Sequence, residues 1–384
     1  MLQAVWLTWS MVSASALAVG LLAMLATVVS LLVLRRLAPS LGLMDQPGGR
    51  KRHERATPAV GGLAIALGCA LAASGLGPLT PPEAALALGG MTLLVSGGLD
   101  DLFDLAWPWK VAAQVAAAMV LIRFGGVEVN SIDTALGFNG RDLGFLAGPF
   151  TILATVGLVN AINMIDGVDG LAGAAILSAL AMLTGAALYA GNAELARTLI
   201  LLCGGVIAFL LFNLRLPGRP RARVFLGNAG SEFLGLAVAW ACFRLTQTPS
   251  HPVTPVLAPF LIAVPVIDCL TLVLRRIAKR RSPFSADRDH LHHVLADAGL
   301  SPTAIVLLVT LASLFIGLVA ALCLLQHVPQ PLFIFAFLTL TALYVGVSLR
   351  RARFVALVRG LTAGQGSTPA SAIKTIGASE RLGA

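Results

Sequence analysis

Long apolar runs separated by short polar segments recur along the whole 384-residue chain. A helix that crosses a bilayer needs about 20 residues at a rise of about 1.5 Å per residue, and each run supplies that length. The runs are continuous rather than alternating, so they predict helices and not the strands of a membrane barrel. We predict an all-α, polytopic integral membrane protein with 11 transmembrane helices, at residues 5–34, 59–78, 84–103, 108–124, 147–164, 171–190, 195–213, 231–248, 254–275, 303–325 and 331–349.

The distribution of basic residues predicts the orientation of these spans. If the spans alternate in direction, all but four of the 27 Lys and Arg residues fall on one side. Cytoplasmic loops carry the excess of Lys and Arg, so we predict a periplasmic N-terminus and a cytoplasmic C-terminus. Arg35 and Arg36 follow the first run and no charged residue precedes it. That arrangement indicates a retained helix rather than a signal peptide.

The composition excludes a soluble protein, because 57% of the residues are hydrophobic and only 12% are charged. The net charge of +9 is concentrated in short loops, which indicates topology and contact with membrane lipids rather than nucleic acid. Cysteines that stand singly within apolar runs are typical of small core residues, not of disulfides or metal sites. They are Cys69, Cys203, Cys242, Cys269 and Cys323.

We predict one membrane-embedded domain over residues 1–349 and a cytoplasmic tail over 350–384. The first part of the tail is basic and amphipathic, which favours a helix lying on the inner leaflet. From Gly364 onward the tail is rich in Ser, Gly and Ala, a composition typical of disorder. On the outer side, the alternating residues Val127, Val129 and Ile132 predict a small hairpin or a re-entrant piece.

The first candidate site is a pair of adjacent carboxylates, Asp100 and Asp101, at the end of the third run, with Asp104 one turn later. A helix C-terminus disfavours negative charge, so the pair needs a positive partner. Either a cationic side chain or a divalent cation would supply it, and a few hard oxygen ligands suit Mg²⁺. The alternative is a solvated loop.

A second candidate site follows the fifth run, where Asn160, Asn163, Asp166 and Asp169 lie within ten residues. Ionisable groups at the edge of a span are costly to bury and often mark a functional site. The spacing of three places Asn163, Asp166 and Asp169 on one face of a helical turn, as a ligand-binding or sugar-binding ridge. The alternative is an ordinary turn with solvated carboxylates.

Two further segments open a helix with glycines beside basic residues. One is 225–232, which follows four arginines and contains Phe225, Gly227 and Gly230; the other joins Lys51 to Gly61. Free N–H groups at a helix start favour an anion, so both segments are candidate phosphate contacts. Phe225 could stack on a base, although an aromatic residue at a span edge is also a common membrane anchor. The cations near Lys51 could serve topology alone.

The richest loop ends in Arg288, His290, His292 and His293. A Zn²⁺ site is the rival interpretation, but the histidines lack the i,i+4 spacing of helical zinc ligands and no cysteine accompanies them. Histidines beside arginines suit a polyphosphate better, because Arg gives bidentate contacts and His donates hydrogen bonds. The basic half of the loop, 275–281, could be a solvated face only.

Together these segments resemble the polyprenyl-phosphate N-acetylhexosamine-1-phosphate transferase superfamily, glycosyltransferase family 4. The Asn-Met-Ile-Asp-Gly-Val-Asp-Gly and Asp-Arg-Asp-His-Leu-His-His segments are most similar to its WecA branch. That branch transfers N-acetylglucosamine 1-phosphate from UDP-GlcNAc to undecaprenyl phosphate. The MraY branch, which transfers phospho-MurNAc-pentapeptide, is the second choice, because it typically has Thr-Asp-Gly-Leu-Asp-Gly and three adjacent histidines.

The resemblance implies an enzyme of the bacterial inner membrane, with its active site on the cytoplasmic face. The implied substrates are a UDP-N-acetylhexosamine and undecaprenyl phosphate, and the implied cofactor is Mg²⁺, with Mn²⁺ as the alternative. The products would be UMP and undecaprenyl-diphosphate-sugar, the first lipid-linked intermediate of O-antigen or another cell-envelope polysaccharide. A homodimer is a further expectation from the family.

The resemblance also implies a role for each candidate residue. Asp100, Asp101, Asp166 and Asp169 would be catalytic, and the metal would be held by Asp100, Asp101, Asn163 and Asn228. Substrate binding would fall to Lys51, Gly61, Asn160, Asn163, Phe225, Asn228, Arg288, His290, His292 and His293.

One position departs from the family pattern, because Asn228 stands where the family usually has a metal-binding Asp. A carboxamide oxygen can coordinate Mg²⁺ but brings no charge, so the affinity should fall. Glu232, one turn later, could restore a carboxylate. An ion-coupled transporter is the alternative from another functional class, since carboxylates beside broken helices also suit ion coupling.

Overall fold

The computed structural model describes residues 14–46, 56–136, 142–247, 252–282 and 289–363. Within these ranges the protein is almost entirely helical. The helices are α1 (Ala14–Leu37), α2 (Gly61–Ala73), α3 (Pro81–Phe103), α4 (Trp107–Gly125), α5 (Ala147–Ile165), α6 (Leu171–Tyr189), α7 (Ala193–Asn213), α8 (Gly227–Thr246), α9 (Ala258–Leu261), α10 (Ala263–Ala278), α11 (Leu291–Asp297), α12 (Pro302–Leu325), α13 (Gln330–Leu349) and α14 (Arg351–Ala363). Two strands, β1 (Met44–Asp45) and β2 (Thr57–Pro58), form a small antiparallel pair.

Seven of the helical segments are long and apolar enough to cross a membrane, and the bent pair formed by Pro255–Leu261 and α10 would make an eighth span. The protein is therefore an all-α, multi-pass membrane protein, as the apolar runs predict. The other three predicted spans correspond to α2, α4 and α8, and α2 is only 13 residues long. The count of 11 spans and their orientation stay predictions.

The predicted span 254–275 is broken in the structure, with a bend of 87° between Pro255–Leu261 and α10. Ile262 leaves the helical conformation at the break, with φ −133°. Pro265 explains it, since its nitrogen cannot donate to the carbonyl of Leu261 and its ring clashes with that carbonyl. The break turns α10 so that it carries Asp268 and Arg276 into the buried interior.

Helix α8 lies at the centre of the bundle, and all but one of its side chains from Ala229 to Thr246 are buried. It packs against α3, α5 and α2. The closest approach is between Gly62 and Gly230, because a Cβ built on Gly62 would lie 2.0 Å from the Cα of Gly230. Small residues allow such contacts between membrane helices. This packing fixes where the N-terminus of α8 lies.

The ends of the helices away from the Asp100 side are joined by a second polar cluster. The hydroxyl of Thr80 donates a hydrogen bond to Glu194 (3.0 Å), and its backbone N–H donates one to Glu83 (3.0 Å). Arg244 lies 3.4 Å from Glu194. The predicted hairpin nearby is reduced to an isolated antiparallel bridge between Ser131 and Asp142.

The remaining predictions on cysteines and the tail can be placed in the structure. All five cysteines are free and either buried or half-buried, which confirms the prediction of core residues. The predicted helix at the start of the tail is present as α14, and its location on the inner leaflet stays a prediction. The residues from Gly364 onward lie outside the described part of the chain.

Candidate active site

One cleft of about 1980 Å³ collects the ends of several helices. The C-terminal ends of α3, α5 and α7 reach it, together with the N-terminus of α8 and one face of α11. Its ionisable and amide lining residues are Asp45, Asp100, Asp101, Asp104, Asn163, Asp166, Asp169, Asn213, Arg215, Arg219, Arg221, Arg223, Asn228 and His293. Five segments predicted to share the cytoplasmic side therefore meet in a single space.

The partner of Asp100 is a side chain of the protein. Its buried carboxylate lies 3.2 Å from the ammonium of Lys110 and accepts a 2.8 Å hydrogen bond from the backbone N–H of Leu105. The negative charge at the end of α3 is thus compensated by a cation one helix further on. The sequence left a cationic side chain and a metal ion open; the structure places a cationic side chain beside Asp100, and the metal ion stays a prediction.

Asp101 caps helix α8. Its two carboxylate oxygens accept hydrogen bonds from the backbone N–H groups of Asn228 (2.9 Å) and Ala229 (3.3 Å). Gly227 has φ +76°, and a Cβ there would lie 2.7 Å from Asp101, so glycine is required at this turn. The helix start predicted to bind a substrate anion therefore binds an anion of the protein itself.

The amides of Asn163 and Asn228 are bonded to each other. The Nδ2 of Asn163 donates to the Oδ1 of Asn228 (2.9 Å) and to the hydroxyl of Ser231 (2.8 Å). These bonds join the C-terminal end of α5 to the first turn of α8. Both asparagines line the cleft, and the Oδ1 of Asn228 keeps a second lone pair for a ligand.

Asp166 differs from Asp100, Asp101 and Asp169, because no hydrogen-bond donor reaches it among the residues that the structure describes. Its side chain is exposed to the water of the cleft, yet protein surrounds it. That enclosure, together with the negative charges of Asp101 and Asp169, raises the pKa of Asp166 to about 7. Within the described residues, no cationic side chain compensates the charge of this carboxylate.

Asp169 anchors a basic loop. It lies 2.7 Å from the Nε of Arg215 and accepts a hydrogen bond from the N–H of Ala222 (3.2 Å). The buried amide of Asn213 supports the same turn, since it binds Gly170 and Val224. The predicted ridge of Asn163, Asp166 and Asp169 does face the cleft, but Asp169 holds the arginine loop in place.

The three histidines occupy different environments. His293 lines the cleft, whereas His290 and His292 are buried. The Nδ1 of His290 lies 3.0 Å from the carboxylate of Asp268, which also accepts the N–H of Leu291. The rings of His292 and His293 are 4.3 Å apart. Arg288 lies outside the described residues.

His292 packs against the turn that carries Asp166. A Cβ built on Gly167 would lie 2.2 Å from the Nε2 of His292, so the glycine allows the ring to approach the backbone. Asp268 was missed by the sequence reasoning. Its signal is a carboxylate inside the apolar run 254–275, and such residues are rarely placed there without a partner.

Four of the other predicted site residues are placed as follows. Phe225 lines the cleft. The backbone N–H of Gly61 donates to the carbonyl of Phe225 (2.9 Å), so it is used in packing rather than offered to a phosphate. Asn160 and Glu232 both bind Gln114, at 2.7 and 3.2 Å, and are not among the cleft residues. Lys51 lies outside the described part of the chain.

The cleft offers carboxylate and amide oxygens of the kind that Mg²⁺ prefers. Within the described ranges, no three His, Cys, Asp or Glu side chains form a metal cluster. Mg²⁺ nevertheless needs only one or two carboxylates when substrate phosphates and water complete its shell. The carboxylate of Asp166, which has no partner within the described ranges, fits that requirement together with Asp101, Asn163 and Asn228 in the same cleft. Asp100 fits less well because the cation Lys110 already compensates its charge, and Glu232 because it is not among the cleft residues.

The fold and this cleft define a membrane-embedded transferase, and comparison with known proteins gives the family. The chain belongs to glycosyl transferase family 4, whose model matches residues 84–246. That result confirms the predicted family and sets aside the transporter alternative. The matched region runs from α3 to the end of α8, so it contains Asp100, Asp166 and Asn228.

Similar curated proteins are named undecaprenyl-phosphate alpha-N-acetylglucosaminyl 1-phosphate transferase. The protein of Escherichia coli (strain K12) is 33% identical over 357 residues, which cover 90% of this chain and 95% of that protein. The Yersinia pestis protein is 33% identical over 85% of the chain and 89% of its own length. For Haemophilus influenzae the identity is 33%, over 84% of the chain and 90% of the relative.

Proposed function

We propose that this protein transfers N-acetylglucosamine 1-phosphate from UDP-GlcNAc to undecaprenyl phosphate and releases UMP. The observation that carries the proposal is the carboxylate of Asp166, which has no partner among the described residues and lies in a cleft that Asp101 and four arginines also line. Such a space suits two phosphorylated substrates and a cation. The names of relatives that are 33% identical over most of their length support the same reaction.

The reaction would be a direct displacement at phosphorus. A phosphate oxygen of the lipid attacks the β-phosphorus of the UDP-sugar, the bond from that phosphorus to the bridging oxygen breaks, and UMP leaves. Asp100 and Asp101 are the residues on which a covalent intermediate would form. All four of their carboxylate oxygens are bonded to protein donors, which favours the direct route.

Some residues of the cleft would bind the cation, and others would position the phosphates. Asp166 and Asp101, with the amide oxygens of Asn163 and Asn228, would hold Mg²⁺ or Mn²⁺. The bound ion would offset the charge that develops on the transferring phosphates. Positioning would come from the basic loop, whose Arg215 is held by Asp169, and from His293 on the opposite helix.

The acceptor lipid would reach the cleft from the bilayer. Leu102 and Phe103 lie on the cleft wall, and Phe103 is 70% exposed, so an apolar surface connects the cleft with the outside of the bundle. We propose that the cleft opens on the cytoplasmic face of the bacterial inner membrane, where the UDP-sugar is made. The lipid-linked sugar would enter synthesis of O-antigen or another envelope polysaccharide, and the enzyme would act as a homodimer.

The test is release of UMP by purified protein in lipid nanodiscs. We expect UMP only when undecaprenyl phosphate, UDP-GlcNAc and Mg²⁺ are all present, with Mn²⁺ as a weaker substitute and loss of UMP release in EDTA. Parallel reactions with other UDP-N-acetylhexosamines identify the sugar. UDP-MurNAc-pentapeptide tests the MraY alternative. No UMP with any of these donors would refute the proposal.

Substitutions of the cleft aspartates test which residues the transfer reaction requires. Asp166→Asn is expected to lower the rate of UMP release by about 100-fold or more, the scale of removing one preorganised charge. Asp100→Asn and Asp101→Asn are expected to lose activity as well. Asp142→Asn is the matched control, because this carboxylate is exposed and is not among the residues that line the cleft. Trapping of a phosphorylated aspartate would contradict the direct route.

A further inference from the structure

Helix α11 forms part of the cleft wall, yet it has only seven residues. His293 and Ala296 are its cleft-lining residues. Isolated helices of that length are not stable, because nucleation costs more than a few hydrogen bonds return. The place of His293 in the cleft therefore depends on whatever holds the two ends of α11.

One arginine of α14 reaches both ends of this short helix. The Nη1 of Arg351 lies 2.8 Å from a carboxylate oxygen of Asp289, two residues before α11 begins. Its Nη2 lies 2.5 Å from Asp297, the last residue of α11. A planar guanidinium can make both contacts at once, which a lysine ammonium cannot do over the same span.

Two further arginines complete the arrangement. Arg359 donates to the backbone carbonyl of Asp297 (2.6 Å), where a helix end leaves carbonyls without intrahelical donors. Arg275 of α10 lies 2.9 Å from Asp289 and donates to the hydroxyl of Ser348 (2.6 Å). Isolated surface ion pairs contribute little, but these share partners, and the side chain of Arg275 is only 13% exposed.

We propose that Arg351 is a positioning residue of the transfer reaction, which holds α11 by both ends and so sets His293 toward the donor phosphates. The inference rests on the proposed function for the identity of the substrate. It assigns part of the site to α14, which lies beyond the region matched by the family model. Arg351 touches neither substrate nor cation; it acts through His293.

The structural half of the proposal is tested by hydrogen–deuterium exchange on the full-length protein in nanodiscs, without substrates. Arg351→Ala is expected to raise amide exchange in a peptide that covers 289–297 by roughly 3- to 30-fold, the range of coupling between contacting residues. Arg351→Lys should give a smaller rise. Arg353→Ala removes the same charge from an exposed position of α14 and is expected to change nothing. Equal exchange in Arg351→Ala and Arg353→Ala would overturn the proposal.

The functional half is tested by UMP release. Arg351→Ala should raise the KM for the UDP-sugar by roughly 3- to 30-fold and change kcat less, because a misplaced His293 weakens donor binding. In a His293→Ala background, Arg351→Ala should raise the KM no further. Additive effects would show that Arg351 does not act through His293 and would refute the proposal.

The two readouts separate this inference from the proposed function. If wild-type protein releases no UMP, the proposed function fails, while the exchange measurement still tests whether Arg351 holds α11. If wild-type protein releases UMP and Arg351→Ala matches the wild-type in both exchange and KM, the inference fails alone. Gel filtration and the Tm of each variant identify any that does not fold. If Arg351→Ala does not fold, the same measurements are made on Arg351→Lys, which keeps the charge.

Discussion

Four carboxylates of the cleft, which form two closely spaced pairs in the sequence, have unlike partners. Asp100 has Lys110, Asp101 has the N-terminus of α8, and Asp169 has Arg215. Asp166 has none of these contacts within the described chain. Of these four carboxylates, Asp166 is the one whose charge is best explained by a ligand, because protein groups compensate the other three.

The raised pKa of Asp166 predicts a pH-dependent stability. Its pKa is 3.8 in an unperturbed chain and about 7 in the folded protein. The folded protein therefore binds the proton more tightly, and its stability falls as the pH rises between those values. Asp166→Asn removes this loss, so its Tm relative to the wild-type protein should rise from pH 4 to pH 8.

The measurement is a thermal melt in detergent with EDTA, repeated with Mg²⁺. Mg²⁺ should stabilise the wild-type protein at pH 8 and reduce the advantage of Asp166→Asn, since the ion supplies the missing positive charge. Asp142→Asn is the control and should show no such pH trend. A constant difference in Tm across the pH range would contradict the assignment of Asp166.

The sequence was sufficient to identify most of these residues as candidates, but it did not show which groups they contact. Asp100 and Asp101 were identified by the cost of negative charge at a helix end, and that cost is met in the structure. Whether a metal or a side chain meets it depends on contacts such as Asp101 to Asn228, which are 127 positions apart. Lys110 and Asp268 were overlooked because each is a single charge within a largely apolar segment.

At the scale of elements, the position of α8 depends on its glycine contact with α2. Gly62→Ala would place a Cβ 2.0 Å from the Cα of Gly230, and backbone cannot yield as a side chain does. We expect a loss of about 3 kcal/mol or more in stability, the upper end for overpacked cores, and a loss of UMP release, because α8 carries Asn228.

The control for that prediction is Gly98→Ala in α3, where an added Cβ would meet no atom within 4 Å. Alanine favours a helix over glycine by about 1 kcal/mol, so this variant should be as stable as the wild-type protein or slightly more so. Thermal melts of both variants in the same detergent make the comparison. A Gly62→Ala protein as stable as Gly98→Ala would show that α2 and α8 are not in close contact.

Hydrophobic periodicity predicted the existence of the helices better than their ends. Helix α8 begins at Gly227 rather than at 231, because the start is set by a cap from Asp101 and not by apolar residues. The break at Ile262 follows from Pro265, a local signal inside a run that is otherwise continuous. The ends and breaks of helices therefore depend on single residues, whose effect is lost when hydropathy is averaged over a window.

For the whole molecule, the charge distribution predicts which side faces the cytoplasm. The structure brings the predicted inner segments to one cleft and joins Thr80, Glu83 and Glu194 at the other ends of the helices. That separation agrees with alternating spans. The direction across the bilayer follows from the excess of Lys and Arg alone.

Cysteine labelling in oriented vesicles tests the direction. Leu216→Cys lies beside the basic loop and Ser74→Cys follows α2 at its far end, and both positions are exposed. With an impermeant maleimide, Leu216→Cys should react only from the cytoplasmic side and Ser74→Cys only from the outside. Buried and half-buried native cysteines should give little background. The opposite pattern would invert the topology.

The cap that Asp101 places on α8 has a consequence for any substitution at this position. The carboxylate of Asp101 caps the positive end of the dipole of α8, and it also lines the cleft where the substrates would meet. A substitution at Asp101 is therefore expected to disturb the start of α8 and the cleft together, so the two effects cannot be varied independently at this position.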